Sequence, residues 1–152
     1  MIKNSYEAKS MMQMLLSIEQ SAKLMWFYNT CNINRMKIKK NELILDNQPI
    51  KSLVTTIQDV MWPFEMLIVR RRHNVHLRMQ IESGINMIAD WGLYQLILFN
   101  LVQNSVKYNK ARDGDIMILV KCKQLKLRDG EHIDPEYNSV LETMIIDTGV
   151  GI

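Results

Sequence analysis

Cysteine is scarce in this chain: Cys31 and Cys122 are the only two, and they form neither a metal-ligand nor a disulfide-framework spacing. That scarcity points to a reducing, cytoplasmic setting. Long apolar runs are absent as well. None approaches the ~20 residues that a spanning helix requires, so no membrane segment is expected. The opening MIKNSYEAKSMMQMLLSIEQ is no signal peptide, because its apolar run is short and Glu19 interrupts the stretch after it. Concentrated charge of one sign is missing too. The formal net charge is +3, and RRRH at 70–73 is the one dense basic run, which a solvated helix end explains. Nothing in that balance favours a nucleic-acid partner. Repeats and low-complexity segments do not occur. With 47% hydrophobic and 23% charged residues, the 152-residue composition is that of a folded chain, long enough for one domain and a modest extension.

Proline and glycine are missing from residues 5–36, which are rich in Met, Leu, Lys, Gln and Glu and read as one long helix. Met11, Met14, Leu15, Ile18, Ala22, Met25, Trp26 and Tyr28 recur at roughly helical spacing. They give that helix a broad apolar face, which the rest of the chain or a partner helix must cover. A charged turn, KIKKNELILDNQPI, comes next, with a short candidate strand at 43–45. Residues 51–70 read as a second helix that Pro63 should kink or break around Trp62. The alternation Val75, Leu77, Met79, Ile81 is that of a half-buried strand, and SGIN makes a turn. A third helix is expected from about Asp90 to Tyr108, ended by KARDGD. IMILVKC then reads as a buried strand, RDGEHIDPEYN as a polar loop and SVLETMII as a last strand. The order helix, helix, strand, helix, strand, strand indicates an α/β (α+β) sandwich with a helical extension at the front.

Chemistry concentrates in two places. In FNLVQNSVKYN, residues 99–109, the side chains of Asn100, Asn104, Lys107 and Tyr108 fall within about 100° of one another on a helical wheel. Leu98, Phe99, Val102 and Val106 take the opposite arc, with Leu101 at its edge. Leu93, Leu96 and Ile97 share the asparagine face in the earlier turns, so the helix should begin buried nearly all round and open a polar stripe at its end. A partly buried amide without a partner costs about 1–3 kcal/mol. The two amides therefore either bond neighbouring loops or face a filled polar site. For the second alternative the chemistry is suitable: amide oxygens are hard ligands for magnesium, a lysine meets a phosphate, and a tyrosine ring can lie against a nucleobase. The second place is MIIDTGVGI, residues 144–152, an apolar strand ending in Asp147 with Gly149 and Gly151 after it. An aspartate there can accept a hydrogen bond from an exocyclic amine, and the glycines permit close backbone approach. Each motif alone is more often an ordinary structural feature.

Taken together and in this order, LILFNLVQNSVKYN resembles the N-box, and IIDTGVGI the first glycine box, of the GHKL ATPase superfamily shared by histidine kinases, gyrase, the heat-shock chaperone ATPase and MutL. The N-L-x-x-N-[AS]-x-K-Y core is that of the sensor histidine kinases. FYNTCNINRMKIKKNELILDNQPI resembles the end of their second dimerisation helix and its link to the ATP domain. This resemblance implies a two-layer sandwich of the histidine-kinase-like ATPase type. Residues 1–40 would be the second helix of a dimerisation hairpin, and residues 41–152 the first part of the ATP-binding domain. Asn104 would coordinate magnesium with Asn100 assisting, Lys107 would meet the phosphates and Tyr108 would flank the adenine or ribose. Asp147 would take the adenine amino group, with Gly149 and Gly151 shaping its pocket. ATP and magnesium are the implied cofactors. A homodimer through the front helix, a phosphoacceptor histidine and a response-regulator receiver are the implied partners.

Some departures accompany the resemblance. Ser105 replaces the commonest alanine of the N-box, and Leu93 and Leu96 stand where polar residues are frequent. His73 and His76 lie in a turn and strand and His132 in a polar loop, and none is followed directly by the acidic residue of a phosphoacceptor helix. The second glycine box and the ATP lid are expected beyond Ile152. Two other uses of the same architecture remain open: a dimerising relative without phosphoryl transfer, and an ATPase conformational switch.

Overall fold

The computed structural model describes residues 2–49, 52–71, 75–108, 116–126 and 139–148. It divides into two compact units, residues 1–45 and 46–152. The first unit is one helix, α1 (Ile2–Lys39), whose uninterrupted run of good helix formers accounts for its 38-residue length. Asn41 ends it. Its φ of 56° is left-handed, a conformation asparagine tolerates, and the Glu42 amide donates back to the Lys37 carbonyl at 2.8 Å. The apolar stripe of α1 stands open: Met11, Met14, Leu15, Ile18, Met25, Trp26 and Tyr28 are between 47% and 66% exposed. The strand expected at 43–45 does not form. A β-branched and leucine-rich triplet has no ladder partner there, and Ile44 is exposed.

The second unit holds β1 (Gln48–Pro49), α2 (Leu53–Arg71), β2 (Val75–Ile81), β3 (Ile88–Ala89), α3 (Trp91–Tyr108), β4 (Ile116–Lys126) and β5 (Ser139–Asp147). Ser52 caps α2, its hydroxyl accepting the Thr55 amide at 3.2 Å. Of the kink or break expected at Pro63, the break does not occur: α2 runs as one helix through it. Ile57, Val60, Met61, Pro63 and Phe64 are all buried, and that packing outweighs the backbone bond the proline removes. The basic run at 70–73 straddles the end of α2, with Arg72 and His73 outside the described residues.

Asp90 starts α3, accepting the Leu93 amide at 2.8 Å with one carboxylate oxygen and the Asp46 amide at 3.0 Å with the other. A single side chain thus caps the helix and ties it to the segment before α2. β1 and β3 pair antiparallel beside it, and the Trp91 indole donates to the Gln48 carbonyl at 2.7 Å. Gly84 (φ +78°) makes the turn after β2, a conformation that a side chain would strain.

The larger sheet has the order β2-β4-β5, parallel between β2 and β4 and antiparallel between β4 and β5. β2 and β4 are therefore joined through α3 as a crossover, which parallel strands require. β2 alternates exposed and half-buried residues from His76 to Ile81, as its sequence pattern predicts. On β4, Ile118, Val120 and Cys122 are buried and face the helices, while Met117, Lys123 and Leu125 are exposed. α2 packs on α3 and β2, and α3 reaches β4 and β5. Phe64 and Phe99 lock the two helices together, their ring centroids 5.2 Å apart. The result is a mixed α+β fold. No helix among the described residues is long and apolar enough to cross a membrane.

Candidate functional site

α3 is seated on the sheet by its inner face, where Leu96, Leu98, Phe99 and Val102 are buried. The expectation that its first turns are buried nearly all round is met only in part. Of the three early residues on the asparagine face, Leu96 is buried and Leu93 half-buried, while Ile97 is 53% exposed, so that face opens at Ile97. An apolar residue at a given helical angle is buried only if another element lies over it, and helical spacing alone does not say which faces are covered.

Two hydrogen bonds fix α3 lengthwise along β5. Near its start the Tyr94 hydroxyl is 3.1 Å from Thr143 Oγ1 and 3.5 Å from Cys122 Sγ. Near its end the Ser105 hydroxyl donates to Asp147 Oδ2 at 2.8 Å. From Tyr94 to Ser105 the helix rises about 16 Å, and from Thr143 to Asp147 the strand advances about 13 Å. The two spans nearly match, so one rigid docking satisfies both bonds. Burial pushes the Tyr94 phenol well above its ordinary range, and its contact with Cys122 pushes in the same direction. It therefore serves as a neutral hydrogen-bonding group.

Asp147 and the helix end meet at one corner of the fold. The backbone at Asp147 is held by the ladder to Ile118, and Thr148 closes the strand beyond it. The Thr148 amide donates to the Met117 carbonyl at 3.2 Å, and the Met117 amide donates to Thr148 Oγ1 at 3.0 Å. Because Ile118, Val120 and Cys122 face the helices, their ladder partners Asp147, Ile145 and Thr143 lie on that same face of the sheet. Asp147 is thereby aimed at α3. Around the helix from Ser105, about 40–160° away, come Leu101, Tyr108, Asn104, Asn100 and Lys107 in turn. All five are exposed.

The individual side chains differ in what they can offer. The Asn104 amide makes no hydrogen bond among the described residues and stands in solvent, with its oxygen suited to a hard cation. Asn100 donates an amide proton to the Leu96 carbonyl of its own helix at 2.8 Å. Lys107 Nζ lies 4.9 Å from the centroid of the Tyr108 ring, which keeps the ammonium and the aromatic face together. Gly149 and Gly151 lie outside the described residues, as do His73, His132, the KARDGD helix stop and the polar loop before β5. His76 is an exposed residue of β2.

Two residues at this corner do not stand out in the sequence as working parts: Ser105, which reads there as a tolerated small residue, and Thr148. The signal for the first is present, since a hydroxyl stands between the polar stripe and the sheet-facing side of α3. No group of three or more His, Cys, Asp or Glu side chains able to hold a metal occurs among the described residues. No protein-family model and no curated protein matches this chain.

Proposed function

We propose that the chain carries the ATP-binding region of a sensor histidine kinase, with residues 1–40 acting as the second helix of a dimerisation hairpin. The observation that carries this reading is the Ser105–Asp147 hydrogen bond, which joins two motifs that are 42 residues apart in sequence. Asn104 lies about 100° around α3 from Ser105, so the near edge of the asparagine stripe adjoins the acidic strand end.

On this reading the fold is the two-layer sandwich of the GHKL ATPases, and the open face of α3 is the floor of the nucleotide site. Asp147 accepts the adenine amine, and Tyr108 and the exposed Leu101 offer apolar surface to the base or ribose. The Asn104 oxygen fits magnesium, a neutral hard donor unopposed by another bond, with the Asn100 oxygen assisting. Lys107 leaves the Tyr108 ring to meet the phosphates. ATP supplies the phosphoryl group for transfer to a histidine borne elsewhere or by another protein, which a receiver then takes up in the cytoplasm. The open stripe of α1 dimerises with a second copy in a four-helix bundle, its apolar residues spanning several turns.

A second reading, a dimerising relative that binds without phosphoryl transfer, is favoured by one fact. None of the three histidines is followed directly by the acidic residue of a phosphoacceptor. Calorimetric titration of the chain with a non-hydrolysable ATP analogue, with and without magnesium, tests the first reading. Magnesium-dependent binding that Asn104→Asp abolishes, with an unchanged melting temperature, is the expected result. Full affinity in Asn104→Asp refutes the metal assignment. Binding by the wild-type chain without any label reaching a protein histidine from radiolabelled ATP, in the presence of a receiver and of a phosphoacceptor helix, favours the second reading.

A further inference from the structure

We propose that the outer face of the β2-β4-β5 sheet, turned away from α2 and α3, is a docking surface for an acidic amphipathic helix of another protein. The two-residue period of a strand builds this face. Ile118, Val120 and Cys122 point toward the helices, so the residues alternating with them on β4, from Met117 to Leu125, point the other way. The ladder adds their neighbours. Ile146 lies beside Leu119, Met144 beside Lys121 and Val140 beside Leu125 on one flank, with Arg78 beside Leu119 on the other. Met117, Leu125, Val140, Met144 and Ile146 are each 38–45% exposed. Apolar residues scattered singly over a surface call for no explanation, but these five share one face of one sheet.

The charges on this face are unequal. Its one acid within the strands, Glu142, is bonded to Lys123 at 2.8 Å. Arg78 and Lys121 make no ion pair among the described residues, and the register sets them on adjoining strands, two residues out of step. Two cations therefore stand unopposed beside an apolar strip. A partner that meets them with carboxylates gains two charge pairs while it covers the strip.

The dimensions select the kind of partner. Three strands spaced about 4.8 Å apart make a face about 10 Å across, and a single helix is about 10–12 Å thick. From Met117 to Leu125 the strand runs about 26 Å, the length of roughly 17 helical residues. The footprint is that of one helix laid along the strands, apolar toward β5 and acidic toward β2. Anionic lipid fits less well, because adsorption to it draws on clusters of about four to eight basic side chains. Nor does a second copy of the chain supply the occupant. Glu7 and Glu19 are the only acids of α1, α3 has none, and α2 has its apolar side in the core. Asp147 and α3 lie on the other side of the sheet, so docking here does not depend on a nucleotide.

The test is a methyl NMR titration of the intact chain with two synthetic helical peptides of that length. Both carry leucines at i, i+3, i+4 and i+7, flanked on one side by glutamates in one peptide and by lysines in the other. With the glutamate peptide, the methyl signals of Met117, Leu119, Val140, Met144 and Ile146 should shift. Those of Ile118, Val120 and Ile145, on the helix side of the sheet, should stay. The lysine peptide should bind at least about tenfold more weakly. Arg78→Glu combined with Lys121→Glu should weaken the glutamate peptide by about tenfold, the worth of two exposed ion pairs, at an unchanged melting temperature. The comparison of peptides on the wild-type chain needs no variant, so it decides the matter even where the substitutions harm the fold. No shift with the glutamate peptide, equal binding of the two peptides, an unchanged affinity in the folded double variant, or shifts centred on another part of the chain overturn the docking surface. Tighter attachment to vesicles of anionic phosphatidylglycerol than to the glutamate peptide also overturns it, and assigns the face to lipid.

Discussion

Tyr94→Phe removes a single oxygen from the junction of α3 with the sheet and leaves the ring's packing in place. The hydroxyl is bonded to Thr143 Oγ1 at 3.1 Å and lies 3.5 Å from Cys122 Sγ. Thr143 and Cys122 keep each other as partners at 3.6 Å, so no group is stranded by the change. The loss is then one ordinary hydrogen bond and one weak one to sulfur, about 1–1.5 kcal/mol together. In a unit of this size that lowers the melting temperature by roughly 5–8 °C. Alkaline pH supplies an independent reading. Burial raises the phenol's pKa in the folded protein, so between the unfolded value of about 10 and the higher folded value the folded state keeps a proton that the unfolded state has lost. Stability from this group is therefore fully present below about pH 10 and declines as the pH rises further. Thermal unfolding followed by circular dichroism from pH 7 to 11 should show wild type and variant converging at the alkaline end, because only wild type carries this term. Curves for the two proteins that stay parallel throughout, or coincide at pH 7, refute the reasoning about the junction.

Phe99 is fully buried and stacked on Phe64, so Phe99→Ala should cost about 3–5 kcal/mol in a urea titration. Asp90→Ala removes the α3 cap and the Asp46 tie together and should cost about 1–2 kcal/mol, whereas Asp46→Ala, which leaves the bonded backbone amide in place, should cost under about 0.5 kcal/mol. Ile18→Glu places a charge in the open stripe of α1 and should shift the chain to monomer in analytical ultracentrifugation without changing its helix content; a chain that is monomeric already, or a variant that still dimerises, contradicts the proposed use of that face.

Much of the architecture could be read from local pattern. The alternation at 75–81 gives β2 at its observed limits, and the apolar run from about Asp90 gives α3 to within a residue. What local pattern missed was decided by distant partners. β1 and β3 are two residues each, too short for any period, and owe their pairing to the Trp91–Gln48 and Asp90–Asp46 bonds. Residues 43–45 have strand-like composition but no strand beside them. Pro63 carries a strong local veto that burial of its neighbours overrode. Ile97 shows the converse case, an apolar residue left open because no described element lies over it.

At the candidate site, the residue types were legible and their connection was not. The polar stripe on α3 and the acidic end of β5 each stood out, yet nothing in either stretch specified that Ser105 would bridge them. That bridge depends on the register of β5 on β4 and on the docking of α3, both of which are set by contacts throughout the second unit. Thr148 is similar. Its hydroxyl matters because Met117 lies across from it, a pairing that only the folded sheet defines.

The central claim is that the amide stripe of α3 and the carboxylate at the end of β5 serve one nucleotide. Amide and side-chain NMR of the isotope-labelled chain, titrated with a non-hydrolysable ATP analogue and magnesium, addresses it directly. The signals of Asn100, Asn104, Ser105 and Tyr108 should shift together with those of Asp147 and Thr148 along a single saturating curve. Shifts confined to one of the two segments, or centred on another part of the fold, contradict it.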